Sequence, residues 1–448
     1  MSNGHPSYAC PMSQILRGGH VVTRTGKTGP YSGFDADIHV KDGHIKGILK
    51  PGTPVPNATT IDVSGLWLTP GYVQAHTHLV QALFRGMADD LALLDWLRTR
   101  IWPLESAHDD ESAYWSARLG LTEMLLGGTT AILDMASVKH TDAIFRAASE
   151  CGIHAHIGKA MMDRENEAGL SEATEASVAS SCALRDDWHG RGRLRYAFAP
   201  RFVPSCTEEL LSQTITEARK SGCLIHTHAS ENRDEVELVR ELTGKDNVVY
   251  LNDIGLTGPD VVLAHCIHLT DVERQILCDT KTAIAHCPGS NFMLGSGIAP
   301  TPELLTGGAK IVIGSDGAPC NNRMDVFAEM RLAALMQKPR LGADAIHADQ
   351  VLDMATVTGA EVLGTGGGDL VVGSTADVVA IDPNKIHSLG GGQPAGCLVY
   401  AATPANVRHV WVEGEHVVQD GRLHCWSLEE TVSECRSALA RVRQRVNL

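Results

Sequence analysis

Eight short runs of β-branched and small apolar residues recur between positions 72 and 316: 72–78, 129–134, 153–158, 195–200, 224–228, 261–265, 282–286 and 311–316. Stretches of helical periodicity separate them, among them amphipathic segments at 109–126 and 207–220. Strands alternating with helices are the pattern of a parallel sheet with crossover connections, and eight such units make a closed (β/α)8 barrel. The active sites of that fold gather at the C-terminal ends of the strands. Several of these runs end in, or lead straight into, a histidine or a carboxylate, so those groups are expected on one face.

The two ends of the chain read differently. Residues 14–68 hold short strands and turns, with Asp42-Gly43 between alternating runs as a hairpin signal. The same style returns at 377–382 and 407–418. Edges of two small sheets are best protected by joining them, which predicts one discontinuous β-sandwich built from both termini. The expected division is 1–68 for the first part of the sandwich, 69–365 for the barrel, and 366–448 for the second part plus a terminal helix. The glycine clusters 364–368 and 390–392 follow no strand and open no helix, so they are read as turns rather than dinucleotide loops.

A formal net charge of −15 argues against nucleic acid or an anionic membrane as partner and favours a small, neutral or cationic ligand. Positions 1–14 lack a basic start followed by an apolar run, and no stretch is long and apolar enough to span a bilayer, which predicts a cytoplasmic protein. The 12 cysteines are scattered without paired or Cys-x-x-Cys spacing and are read mostly as buried thiols. Pro319-Cys320-Asn321-Asn322 lacks the second cysteine of the Pro-Cys-x-x-Cys half of the cytidine-deaminase signature.

A lone histidine on an apolar strand is usually a hydrogen-bonded core residue, and the chain has 21 histidines. His76 and His78 are harder to dismiss, because neighbours two apart on a strand share a face and two adjacent imidazoles are best satisfied by a divalent ion. Spacing does not separate His226 from His228, but His228 lies nearer its strand end and three residues before Glu231. A water activated by a metal needs such a carboxylate to relay its proton. Asp316 suits a ligand or a base, with a turn residue as the bland alternative. His265 fits either a third imidazole ligand or a group that hydrogen-bonds the substrate, and His268 and His286 compete for the role. The fourth run has no lysine to bridge two metals, which favours a single ion, with Lys159 in the third run as the reservation.

Taken together, Pro70-Gly71-x4-His76-x-His78, His228-x-x-Glu231, His265-Cys266, His286-Cys287-Pro288-x-Ser290-Asn291 and Gly314-Ser315-Asp316-Gly317 resemble the amidohydrolase superfamily. The branch is that of nucleobase and nucleoside deaminases and triazine hydrolases, and the resemblance covers nearly the whole chain. It implies a zinc-dependent hydrolytic enzyme acting on a C–N bond of a cyclic amidine, with one Zn2+ or Fe2+ per chain held by His76, His78, His228 and Asp316. Glu231 would be the proton shuttle, with His265 polarising the reacting centre and Asp316 helping to remove the water's proton.

The segments 89–91, 102–105, 317–322 and 330–335 resemble deaminases of 5′-deoxyadenosine, methylthioadenosine and S-adenosylhomocysteine, whereas 199–202 and 228–233 resemble guanine deaminases. Arg201 stands where S-adenosylhomocysteine deaminases carry a histidine. Gln81, Trp102 and Arg201 are the expected substrate contacts. The reading is therefore an aminopurine deaminase of adenosine type, with guanine deaminase and s-triazine hydrolase as alternatives and a non-catalytic metal-binding protein as a remote fourth. The partners expected are a small heterocycle and further copies of the chain, as a dimer or tetramer.

Overall fold

All eight apolar runs become neighbouring strands of one parallel sheet in the computed structural model, which describes residues 13–26 and 29–446. In chain order they are Tyr72–Thr77, Thr129–Met135, His154–Gly158, Leu194–Pro200, Leu224–Ala229, Val261–His265, Ala283–His286 and Lys310–Ile313. The eighth strand closes on the first, because the Asp316 amide donates to the His76 carbonyl at 3.0 Å and Thr77 bridges to Asp316. A side chain at position 314 would forbid this closure: a Cβ there would lie 2.8 Å from the His76 Cβ and 2.9 Å from its carbonyl oxygen. The final strand is shorter than the sequence suggests. It stops at Ile313, since Gly314 and Ser315 must carry the chain across the barrel mouth to Asp316.

Small side chains fill the barrel interior, where Ala75, Ala131, Ala197, Ala264 and Ala285 pack with Val73, Val262 and Val312. Ala360 and Leu363 from the helix Val357–Leu363 join this core and plug it from the side of Val73, away from the strand ends. Between strands, helices start at strong caps: the Asp109 carboxylate accepts from the Ser112 amide ahead of Asp110–Leu126, and the Thr207 hydroxyl accepts from the Leu210 amide ahead of Glu208–Ser221.

The two β-rich ends form one nine-stranded sheet. Its seam is the antiparallel pairing of Val378–Ile381 with Trp67–Pro70, which joins residues far apart in sequence immediately before the barrel begins. The sheet encloses a core of its own, including Leu16, Ile38, Leu68, Val378 and Trp411. Asp42 and Gly43 both adopt positive φ, 50° and 75°, and turn the hairpin between Tyr31–Lys41 and His44–Leu49. The terminal helix Leu428–Val446 lies against Asp110–Leu126, where the Arg118 guanidinium donates to Thr431 and Glu430 and stacks on Trp115 and Trp426.

Among the described residues no helix is long and apolar enough to cross a membrane, every described cysteine is a free thiol, and none is fully exposed. The segment 1–12, where most of the expected leaderless start falls, lies outside the described residues.

Buried neutral imidazoles are expected to make this fold acid-sensitive. His108 pairs with the Ser112 hydroxyl and the Val80 carbonyl, each at 2.9 Å, and burial lowers it to about 4. Burial lowers His286, whose two ring nitrogens have no partner, to about 3. An unfolded chain protonates both near the ordinary value of about 6.5, so below that pH the unfolded state binds more protons. Stability is therefore expected to fall as pH drops from about 6.5, by roughly 1 kcal/mol per unit for each group, until the folded values are reached. Thermal melting from about pH 7.5 to about pH 5 checks this, and a flat midpoint would contradict it.

Candidate metal centre and catalytic pocket

A cluster of imidazoles and carboxylates stands at the C-terminal mouth of the barrel. His76 is the penultimate residue of the first strand, and its ring meets those of His78, His228 and His265 edge-on at centroid distances of 4.9, 4.7 and 5.3 Å. A register shift between Gln74 and Thr77 resets the alternation there. Gln74 turns outward to Thr129 and Met324, so Val73 and Ala75 face the core while His76 can face the mouth. Asp134, at the end of the second strand, holds the turn by accepting from the Thr77 hydroxyl at 3.0 Å and the Leu79 amide at 2.7 Å.

Each imidazole is oriented through its Nδ1. His78 donates from Nδ1 to the Met135 carbonyl at 2.7 Å, His228 to the Arg201 carbonyl at 2.7 Å, and His265 to the Asn291 side-chain oxygen at 2.9 Å. These bonds fix the tautomer that leaves Nε2 unprotonated and free to ligate. His76 differs, because its Nδ1 faces Nε2 of His226 at 2.8 Å. His226 thus lies behind His76, and its own Nδ1 has no partner.

The donor set fits a divalent cation. Nε2 of His76 and of His265 are buried without a hydrogen-bond partner. Two overlapping groups, His76/His78/Asp316 and His76/His228/His265, each bring three ligand atoms within 4.8 Å of one another. Burial lowers His76 to about 4 and carries His78 and His228 below their ordinary value, which favours the neutral imidazole that a metal requires. Burial alone would raise the Asp316 carboxyl, but His76, His78 and His265 override it and hold it well below the usual range. Its oxygens accept from the Ser290 hydroxyl at 2.6 Å and the Gly317 amide at 2.7 Å. Lys159 is committed elsewhere, to Glu172 and Ser177.

Glu231 lies opposite, with Oε2 3.4 Å from Nε2 of His265, which is itself 3.7 Å from Asp316 Oδ2. Burial, helped by the charges of Asp316 and Glu235, pushes the Glu231 carboxyl well above its ordinary value. A carboxyl whose proton affinity is raised, beside one held ionised, is the arrangement of an acid–base pair. Ser230, His265, Cys266 and Asp316 all adopt positive φ, between 49° and 72°. Such backbone costs on the order of 1–3 kcal/mol per residue and concentrates where side chains must be aimed.

A pocket opens onto this cluster. Leu93, Trp96, Leu97, Phe202 and Leu294 form its apolar wall, while His78, His228, Glu231, Asp316 and Arg201 form the polar one. Arg201 reaches the cavity wall, but both its terminal amino groups are engaged by Glu105, at 2.7 and 3.0 Å. Gln81 donates to the same carboxylate at 2.8 Å and, like Trp102, is not part of the cavity wall. A Cβ on Gly317 would meet the Gln81 oxygen at 2.0 Å, so the glycine keeps that network in place. Trp102 packs with Leu93, Trp96 and Phe202. His268 turns to the Ser296 carbonyl at 2.7 Å, and the ring of His286 makes no hydrogen bond. The sequence reading did not assign roles to Glu105, Glu235, Ser290 or Asn291, although the motif His286-Cys287-Pro288-x-Ser290-Asn291 contained two of them.

A model of the Amidohydrolase family matches residues 67–417 of the chain. The 5-methylthioadenosine/S-adenosylhomocysteine deaminase of Desulfitobacterium hafniense is 36% identical over 419 residues, covering 92% of this chain and 95% of that protein. The 5′-deoxyadenosine deaminase of Methanothermobacter thermautotrophicus is 37% identical over 406 residues, covering 90% and 93%. Among solved structures, an adenosine deaminase from Xanthomonas campestris with bound zinc superposes with a TM-score of 0.89 at 28% identity, covering 96% of this chain and 98% of that one.

Proposed function

The chain belongs to the amidohydrolase family, and from that premise we propose that it is a metal-dependent hydrolytic deaminase of adenosine-type nucleosides. The observation that carries the reaction is the juxtaposition of a raised Glu231 carboxyl with His265 and an ionised Asp316 in one buried pocket. The substrate class rests on relatives at 36 and 37% identity that act on 5-methylthioadenosine, S-adenosylhomocysteine and 5′-deoxyadenosine. The catalytic unit is assigned to 69–365, with 1–68 and 366–448 as its supporting sheet and helix.

We take the ion to be one Zn2+ per chain, supported by the zinc in the Xanthomonas enzyme, with His76, His78, His228 and Asp316 as its ligands. When bound, such an ion lowers the pKa of a water toward neutrality. Glu231, as the carboxylate, takes a proton from the attacking water and, once protonated, delivers it to the ring nitrogen beside the amine-bearing carbon, and the raised proton affinity that burial gives it favours the uptake. His265 is placed between Glu231 and Asp316 to hydrogen-bond the reacting centre. Asp316 receives the remaining hydroxyl proton and passes it to the amine, which leaves as ammonia. The apolar wall of Leu93, Trp96, Leu97, Phe202 and Leu294 excludes bulk water and stacks on the purine.

An ammonia-release screen over adenosine, 5′-deoxyadenosine, methylthioadenosine, guanine, cytosine, pterins and aminotriazines tests this reading. Fastest release from an adenosine-type nucleoside is expected. A preference for guanine or an aminotriazine would replace the substrate class.

Arg201 gives a sharper test of that class. Losing a buried, charge-assisted bond costs on the order of 2–3 kcal/mol, so Arg201→Ala is expected to cut kcat/KM by roughly two orders of magnitude while metal content holds. Part of that loss would come from Glu105, left buried and unpaired. Equal losses on guanine, adenosine and triazine would make the pair structural, and a loss confined to guanine would favour guanine deamination.

A further inference from the structure

Four donors converge on the fully buried carboxylate of Glu235, which also lines the catalytic cavity. Oε1 accepts from the Ser230 amide at 3.2 Å and the Asn247 side-chain amide at 2.6 Å. Oε2 accepts from the amides of Glu231 at 2.6 Å and Asn232 at 3.4 Å. A capping box at the start of Arg233–Thr243 explains only the Asn232 bond. The bonds to Ser230 and Glu231 go further, because they hold the turn that carries the fifth barrel strand into the site. Ser230 sits there at φ 54°, a conformation its neighbours must enforce.

We propose that Glu235 is a positioning residue for Glu231, clamping the Ser230–Glu231 backbone so that the Glu231 carboxyl stays against His265. This rests on the reading of Glu231 as the proton shuttle. A carboxylate is required, since each oxygen receives two donors. A glutamine would turn an NH2 group against N–H donors whichever way its amide faced. Asn247, itself fully buried, secures Glu235 from the following helix, Asn247–Asp253. The clamp therefore ties the catalytic turn to two helices. Misplacing a reacting group by about 1 Å costs on the order of a hundredfold in rate, and that is the loss expected when the clamp is cut.

The test uses the full-length, metal-loaded protein with adenosine as substrate and four variants: Glu235→Gln, Asn247→Ala, Glu231→Gln and the double variant Glu231→Gln/Glu235→Gln. Glu235→Gln is expected to lower kcat about a hundredfold with KM within roughly threefold and metal per chain unchanged. Asn247→Ala should move kcat the same way by about tenfold, and it stands in if Glu235→Gln does not fold. Because Glu235 acts through Glu231, the double variant should be no slower than Glu231→Gln alone.

A double variant slowed by the full additional factor would show a merely structural role and overturn the proposal. So would Glu235→Gln at near-parental kcat while Glu231→Gln is impaired, an outcome that leaves the shuttle role of Glu231 standing. Parental turnover in Glu231→Gln would remove both that role and this inference.

Discussion

Glu231→Gln is expected to fold, retain its metal and lose about ten-thousandfold in kcat, the upper end of what a general acid–base group contributes. The residue would be used twice, first to accept the water proton and then to protonate the ring nitrogen. An amide fills the same space and can still accept from Ser296, whose hydroxyl lies 3.4 Å from Oε1. It has no proton to relay. Its nearest alternative is His265, but that ring is tied to Asn291 at Nδ1 and faces the same reacting centre. Single-turnover kinetics and elemental analysis of the purified variant check the expectation. Turnover within a few-fold of the parent would mean that another group carries the proton.

Replacing His76, His78 or His228 by alanine is expected to remove metal and activity together, because each opens the ligand set around one ion. His76 should be the most damaging of the three. It belongs to both groups of candidate ligands, and its loss also strands His226, whose Nε2 has no other hydrogen-bond partner. Asp316→Ala should act in the same direction, with the added loss of the Ser290 and Gly317 bonds. Metal content by elemental analysis, together with chelator competition, separates these variants from Glu231→Gln. Retained metal with full turnover in any of the three histidine variants would show that the ligand set is wrong.

The barrel was legible because each strand needs a run of apolar residues, and because the groups at the mouth must follow those runs. That logic places His76, His78, His228, Glu231, His265 and Asp316 together without any coordinates. It is silent on what holds them. Asn291 orients His265 from the short helix Pro288–Met293 after the next strand, and Glu105 meets Arg201 across 96 residues of sequence. Such pairs depend on barrel closure rather than on local pattern.

His226 shows the limit most plainly. Strand periodicity puts it on the face of His228, and only depth in the barrel sets its Nε2 against Nδ1 of His76 and leaves it out of both candidate ligand groups. The bulge between Gln74 and Thr77 was equally hidden, since nothing in an unbroken apolar run marks where the register slips. Arg201 was expected to border the substrate; it reaches the cavity wall, and what the sequence did not show is that its terminal amino groups also donate to Glu105.

Hydrolytic deamination at the ring carbon is the central claim, and water labelled with oxygen-18 tests it most directly. Metal-loaded protein turning over adenosine in that water is expected to release one ammonia per substrate and to place one labelled oxygen on the purine ring carbon that bore the amine. The sugar should remain attached and unlabelled. Free adenine, or a product whose new oxygen is not from water, would contradict the account.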